Sequence, residues 1–369
     1  MAGKTIYIVC GEASGDLHAA HLVQALKNRD ASLKFRGTGG EHLYSTGMYI
    51  TRHIRDMNFM GFMEILKNLL RILSILKQIK KDIQETRPDA VLLVDYPGFN
   101  LKLAPFIHSL GIPVYYYISP QLWAWKKGRI QIIRKYVKQM FVILPFEEKF
   151  YREENIEAEF LGHPLMDILQ QIPADRDVQA NTDTKPVLAL LPGSRKQEIQ
   201  RILPVLLATA AKLPEFTPVL ACAPAIDESV YLKIPGAEKV LRVKGNTHKL
   251  LAGAAFAFVA SGTATLEAAI LNVPQIVCYK ADAPSVYLAR KWVKVKYISL
   301  VNLILDTPAL PELIQEDLTP EHLLQHFREM TQNPERHKVL MENYELLRNR
   351  LGGKGCAGRT ADKLLSLMK

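Results

Sequence analysis

The sequence predicts an α/β protein made of two doubly wound, Rossmann-like domains facing a cleft. Three observations carry that prediction. Short aliphatic runs alternate with amphipathic segments through the first half, a polar stretch then breaks the rhythm, and the same alternation restarts beyond it. At 369 residues the chain is also too long for one ordinary domain.

The elements follow in order. "TIYIVC" (5–10) reads as a buried strand and "GDLHAAHLVQALKN" as the helix after it. "AVLLVD" (90–95) is a strand, "NLKLAPFIHSL" a helix, "PVYYYIS" (113–119) a strand, "RIQIIRKYVKQM" a basic helix and "MFVILP" (140–145) a fourth strand. "QQIPADRDVQANTDTKP" is polar, acidic and proline-bearing, which suits a linker. "PVLALLPGSR", "FTPVLACAP", "FAFVASGTATLEAAILNVP" and "QIVCY" then rebuild the pattern. The expected boundaries are 1–168, a linker at 169–186, a second domain at 187–345, and a terminal helix at 346–369 after "LGGKG", placed to return to the first domain.

The composition is 48% hydrophobic and 23% charged, which excludes a disordered or fibrous chain. Cys10, Cys222, Cys278 and Cys356 are widely spaced with no CxxC pair, so reduced thiols are expected rather than disulfides or a zinc site. No signal peptide and no transmembrane helix are expected. A net charge of +10 favours an anionic partner: nucleic acid, a phosphorylated small molecule or an acidic membrane surface.

Ligands of doubly wound sheets sit at the C-terminal ends of strands, so the loops there are the candidates. In "GEASGD" (11–16), Gly11 and Gly15 permit a tight turn, with Glu12, Ser14 and Asp16 beside them. Its acids would repel a diphosphate, so a neutral sugar or an ordering role fits better, against a plain strand-to-helix turn. "VLLVDYPGFN" (91–100) ends a buried strand on Asp95, with Asn100 read as the cap of the next helix. In "LLPGSRKQEIQ", Gly193 turns the chain and Ser194 caps a helix whose free N–H groups attract phosphate; Arg195 adds a charged fork. "VASGTATLEAAILNVPQIV" places Ser261, Gly262 and Thr263 at another such turn, and Glu267 where a carboxylate could accept from two ribose hydroxyls. The plainer alternative for Glu267 is an exposed acid favoured by the helix dipole.

"YISPQLWAWKKGRI" combines Ser119, Trp123, Trp125 and Arg129 with two lysines. Core anchoring or a single-stranded nucleic-acid patch are alternatives to a sugar platform beside cations. "MGFMEILKNLLRILSILKQIKKDI" (60–83) has an apolar arc covering more than half of a helical wheel, including Ile65, Leu66, Leu69, Ile72 and Leu73. With Lys67, Arg71 and Lys81 opposite, it reads as a core helix with a basic stripe, as an interfacial membrane helix, or as both. No DxD ends a strand and no His/Cys cluster has ligand spacing, so no metal is expected.

Taken together, "GEASGDLHAA", "MGFMEIL", "VDYPGFN", "YISPQLWAWKKGRI", "LPFE", "FLGHPLMD", "LLPGSRKQEI", "ASGTATLEAAILNVPQIVCYK", "YISLVNLI" and "LIQEDLTPEHL" resemble the lipid-A-disaccharide synthase family, in order from residue 11 to about 323. The resemblance implies a GT-B glycosyltransferase with an acceptor-binding first domain and a nucleotide-sugar-binding second one. The implied reaction joins UDP-2,3-diacylglucosamine to 2,3-diacylglucosamine 1-phosphate (lipid X), with inversion, giving a β-1,6 disaccharide and UDP. It implies no cofactor or metal and no nucleic-acid partner. It also implies work in the cytoplasm at the anionic inner-membrane surface of a Gram-negative bacterium, and leaves a homodimer open. The family's "DxPxFN" loop makes Asp95 the implied general base; Gly98 stands where many members keep a second acid, so one carboxylate must suffice. Arg195 matches an arginine near the donor diphosphate, and Asn302 and Gln315 fall in matching polar blocks. An ordinary Asp titrates near pH ~4, so a base here requires a desolvated carboxyl. The alternatives are another UDP-sugar enzyme of this fold, an epimerase or a peptidoglycan-precursor transferase, or a non-enzymatic basic membrane or RNA binder.

Overall fold

The computed structural model describes residues 3–57, 68–120, 122, 128–169, 172, 185–282 and 296–368. Ile65, Leu66, Trp123 and Trp125 lie outside the described residues. The chain divides into two compact units, Met1–Pro164 with Lys354–Lys369, and Leu165–Gly353.

The first unit holds a seven-stranded parallel sheet ordered β3-β2-β1-β4-β5-β6-β7. Its strands are β1 (Thr5–Cys10), β2 (Lys34–Gly39), β3 (Tyr49–His53), β4 (Ala90–Val94), β5 (Val114–Tyr117), β6 (Gln139–Val142) and β7 (Ala158–Phe160). The second holds a six-stranded parallel sheet ordered β10-β9-β8-β11-β12-β13. These are β8 (Val187–Leu191), β9 (Thr217–Cys222), β10 (Leu241–Lys244), β11 (Ala254–Ala260), β12 (Gln275–Tyr279) and β13 (Glu312–Ile314).

Central strands such as β4 and β8 are buried throughout, because helices cover both faces of a parallel sheet and leave no side for polar residues. β1 shows how the two layers form. Tyr7 and Val9 pack against the helices Leu69–Thr86 and Pro97–Ser109, while Ile6, Ile8 and Cys10 pack against Ala13–Lys27 and Cys356–Leu367. The latter helix rests on Ala13–Lys27, with Ala361 and Leu364 buried and Arg29 ion-paired to Asp362. On its other flank, Cys356 Sγ donates to the Gly162 carbonyl.

Five strands were not anticipated from the sequence. β2, β3, β7, β10 and β13 carry "KFRGTG", "YITRH", "AEF", "LRVK" and "ELI", which are short or polar. β2 depends on Gly37, whose φ is +140° and where a Cβ would overlap the Ile8 carbonyl oxygen.

The helix Leu69–Thr86 corrects one expectation about a membrane surface. Ile72, Ile75, Ile79 and Ile83 form its core stripe, so Ile72 is buried and cannot face lipid. Leu69, Leu70 and Leu73 are 42%, 84% and 47% exposed, a step round the same helix. Asp82 holds the helix to the sheet by accepting from Tyr7 Oη at 2.6 Å and by pairing with Arg36.

Candidate active site

In the first unit β1 and β4 are neighbours, so the loops at their C-terminal ends, 11–16 and 95–100, lie side by side. Asp95 and Tyr96 have φ of +44° and +47°, two successive non-glycine residues in the left-handed region. Such a pair costs on the order of 1–2 kcal/mol per residue and persists only where surrounding bonds impose it. Here the Asp95 N–H donates to the Tyr117 carbonyl at 2.9 Å. The Asp95 carbonyl accepts from Tyr116 Oη at 2.6 Å and from Asn100 Nδ2 at 2.8 Å. That amide also reaches the carbonyls of Val9 and Val94 at 3.2 and 3.1 Å, clamping the ends of β1 and β4. Asn100 is therefore a buried residue inside the helix Pro97–Ser109 and not its cap, which is Tyr96.

The turn leaves the Asp95 carboxyl half-buried, and burial pushes its pKa up from 3.8 to about 7. The negative charge of nearby Glu12 adds to the rise, and the Tyr96 N–H opposes it. Glu12 caps the helix Ala13–Lys27. Gly11 is required for a contact: a Cβ there would stand within 2.6 Å of the Tyr96 ring Cγ. That ring stacks on Phe99 and its hydroxyl donates to the Met57 carbonyl at 2.6 Å. Gly15 is buried against Cys10, Ser14 is exposed, and Arg129 is near enough to Tyr116 for its charge to act on the phenol.

Two residues expected at the acceptor side serve the scaffold instead. Asp16, 2% exposed, accepts from the N–H groups of Gly40, His42 and Leu43 at 2.6, 3.0 and 3.2 Å. It is thus the anion at the N-terminus of the short helix Glu41–Ser45, a favourable place for a carboxylate. The Ser119 hydroxyl is buried between Tyr151 Oη at 2.7 Å and the Pro120 carbonyl at 2.9 Å.

In the second unit β8 and β11 are neighbours, which brings Gly193–Arg195 close to Ser261–Thr263. Ser194 does not cap the helix Lys196–Ala210; Arg195 holds that position. The N–H groups of Ser194 and Arg195 point at an internal anion. Glu198 Oε2 accepts from them at 3.2 and 3.3 Å, and Oε1 lies 3.2 Å from Arg195 Nη1. Gly193, at φ +110°, allows this, since a Cβ there would stand 2.5 Å from Glu198 Oε2. The Arg195 side chain is 69% exposed, so most of its charge remains toward solvent.

At the second turn, Gly262 and Thr263 are exposed where the helix Thr263–Ile270 begins. The Ser261 hydroxyl is engaged by the Ile298 carbonyl at 2.9 Å. Glu267 departs from the exposed-acid alternative: its side chain is 15% exposed, with Oε2 3.3 Å from His248 Nε2. Asn302 and Gln315 are both committed to backbone. Asn302 exchanges two 2.9 Å bonds with Leu310 and donates to Glu312, whose carboxylate also accepts from the N–H groups of Ile298 and Ser299. Gln315 bonds both polar groups of Ala281, at 2.6 and 3.2 Å.

Sequence reasoning missed Tyr116, Glu198, His248 and Glu312. Only Glu198 had a local signal, a Glu three residues after the helix cap. Among the described residues no group of three or more His, Cys, Asp or Glu side chains is placed to hold a metal ion.

Comparison with known proteins places these loops in a family. Residues 6–359 match the family described as Lipid-A-disaccharide synthetase. The chain belongs to this family. A lipid-A-disaccharide synthase of Syntrophus aciditrophicus is 42% identical, over 100% of this chain and 99% of its own length. That of Myxococcus xanthus is 38% identical over 98% and 97%. Solved structures share the fold at low identity. A UDP-GlcNAc 2-epimerase from Neisseria meningitidis bound to UDP-GlcNAc aligns with a TM-score of 0.71 at 14% identity, covering 99% of this chain and 100% of that one. A glycotransferase of kitacinnamycin aligns with a TM-score of 0.66 at 15% identity, covering 100% of both chains. As a member of the family the chain is a glycosyltransferase, and its two Rossmann-like sheets are those of the GT-B fold.

Proposed function

We propose that Asp95 is the general base of the family's reaction. The reaction transfers a 2,3-diacylglucosaminyl group from UDP to the 6-hydroxyl of 2,3-diacylglucosamine 1-phosphate, with inversion, and releases UDP. The observation that carries the assignment is a strand-end carboxyl raised to about 7 by burial, held by bonds to its own backbone. A base needs a pKa near the working pH to be both ionised and able to take a proton. As the acceptor oxygen attacks the anomeric carbon, Asp95 takes its proton and the bond to the UDP oxygen breaks. Arg195 and the exposed start of the helix Thr263–Ile270 would stabilise the leaving diphosphate. Support for the helix start is stronger than for the Ser194 turn, whose N–H groups already bind Glu198.

UDP release from acylated glucosamine substrates by the purified chain tests the reading, and absence of release would end it. The rate constant kcat/KM should rise with pH and level off above about 7, the pKa of Asp95. Glu12→Gln removes one of the two influences that raise that pKa, so the acid limb should move to lower pH. A limb that stays in place would remove Glu12 from the electrostatics of the base.

The exposed Leu69, Leu70 and Leu73, with Arg71 on the same turn, support docking of the first unit on an anionic membrane surface. No helix among the described residues is long and apolar enough to cross a membrane. The double change Leu69→Ser, Leu73→Ser should reduce partition onto anionic vesicles by roughly 10-fold or more, the scale of burying two such side chains, and leave UDP binding intact. Unchanged partition would assign these leucines to another surface.

A further inference from the structure

We infer that His248 is a positioning residue for donor binding, setting the Glu267 carboxylate for the ribose of the nucleotide. This inference rests on the reading of Glu267 as the acceptor of ribose hydroxyl bonds.

Glu267 and His248 come from different elements, the helices Thr263–Ile270 and Thr247–Ala252, which pack together. The neighbours of Glu267 on its own helix, Leu266, Ala268 and Ala269, are fully buried, so the carboxylate emerges at the rim of a packed core. A Glu side chain has three rotatable bonds, and holding one rotamer costs free energy unless a partner fixes it. His248 Nε2, 3.3 Å from Oε2, is such a partner, and the His248 side chain is itself only 27% exposed. The contact is an ion pair when the ring carries its second proton, and a proton on Nε2 is what makes the approach favourable. It engages one carboxylate oxygen and leaves Oε1 for a ligand hydroxyl. A pre-set acceptor makes a stronger bond than one that must first be ordered. Glu267 lies one helical turn beyond Thr263, whose helix starts at the Gly262 turn, so a diphosphate at that turn and a ribose at Glu267 would belong to one nucleotide.

The competing explanation is a structural tie between two helices, which would affect every ligand alike. Ligand pairs separate the two. Binding of UDP, 2′-deoxy-UDP and 3′-deoxy-UDP to the full-length chain is measured by calorimetry for the native protein, Glu267→Ala, His248→Ala and His248→Gln. A hydroxyl bonded to a charged group should favour UDP over the affected deoxy analogue by roughly 10-fold or more in the native protein. His248→Ala should reduce that preference to within about threefold, and His248→Gln, which keeps a donor at similar reach, should restore most of it. His248→Phe keeps the ring volume without the donor and should behave as the alanine variant, which guards against a folding defect.

If Glu267→Ala keeps the native preference for UDP, the ribose role of Glu267 is wrong and the inference falls with it. If Glu267→Ala abolishes the preference while His248→Ala retains it, the ribose role stands and the role of His248 is refuted. Equal weakening of all three ligands in His248→Ala likewise refutes it, leaving the structural tie.

Discussion

Asp95→Asn is expected to lower turnover by roughly two to four decades, the usual scale for a general base, while UDP affinity changes little. The substitution keeps the shape but replaces an ionisable carboxyl with a neutral amide, which can neither take the acceptor's proton nor carry the charge. The Tyr116 hydroxyl and the Asn100 amide that hold the turn bind the Asp95 main-chain carbonyl rather than the carboxyl, and an asparagine oxygen can still accept from the Tyr96 N–H, so the loop should survive. The same variant should be more stable than the native chain at neutral and higher pH. Below pH 3.8 the carboxyl is protonated in both folded and unfolded chains and contributes nothing. Between 3.8 and about 7 the unfolded chain ionises while the folded one keeps its proton, so native stability falls across that window and stays reduced above it. Asparagine removes the penalty. Melting temperatures at pH 8 should therefore rise by several degrees in the variant and converge with the native value near pH 3.5, provided both remain folded there. Near-native turnover would sink the assignment of the base; equal melting temperatures at pH 8 would instead show that the carboxyl is better solvated than its burial implies.

Gly11→Ala should be nearly as damaging, although residue 11 carries no chemistry. Its Cβ would stand 2.6 and 2.7 Å from Cγ and Cε1 of the Tyr96 ring. The ring cannot yield easily, because Phe99 stacks on it at 5.5 Å between centroids and Met57 accepts its hydroxyl. Relief must come from the backbone at Tyr96, and Asp95 is covalently next to it in the same left-handed turn. Overpacking of this kind costs about 1–3 kcal/mol. A misplacement of the base by an ångström or so costs on the order of 100-fold in rate. UDP binding should persist, since the loops proposed to hold the nucleotide belong to the other unit. Partial recovery of turnover in Gly11→Ala, Tyr96→Ala would confirm that the ring transmits the damage. Full activity in the single variant would show that Tyr96 moves without carrying Asp95.

The extent to which the site was legible varied residue by residue. Asp95 could be found because a carboxylate ending an aliphatic run in a doubly wound sheet has few places to go but the rim. Glu267 was read from a different signal, its place on the first turns of the helix that follows the Ser261–Thr263 turn. Asp16, Asn100, Ser119, Asn302 and Gln315 looked equally functional in the sequence, yet each is bound to main chain or to a buried hydroxyl. A polar residue near a strand end can serve either a ligand or the loops that surround it, and one-dimensional spacing does not distinguish them. The Ser194 turn shows the reverse: its glycine and helix start were readable, but the Glu198 side chain folded back onto them was not anticipated.

Residue order was enough for the fold class, the central strands and the family, because buried parallel strands must be continuously apolar and the loops after them carry distinctive residue blocks. It did not determine β2, β3, β7, β10 and β13, whose short or polar strands exist because a neighbouring strand supplies their hydrogen bonds. Tertiary structure alone decided which face of the helix Leu69–Thr86 is core, that Asp95 is desolvated beside Glu12, and that His248 meets Glu267. Burial and the partners of a charge are properties of the assembled surroundings. The residues that create them are distant in the chain, and they meet only when the sheets and their helices pack.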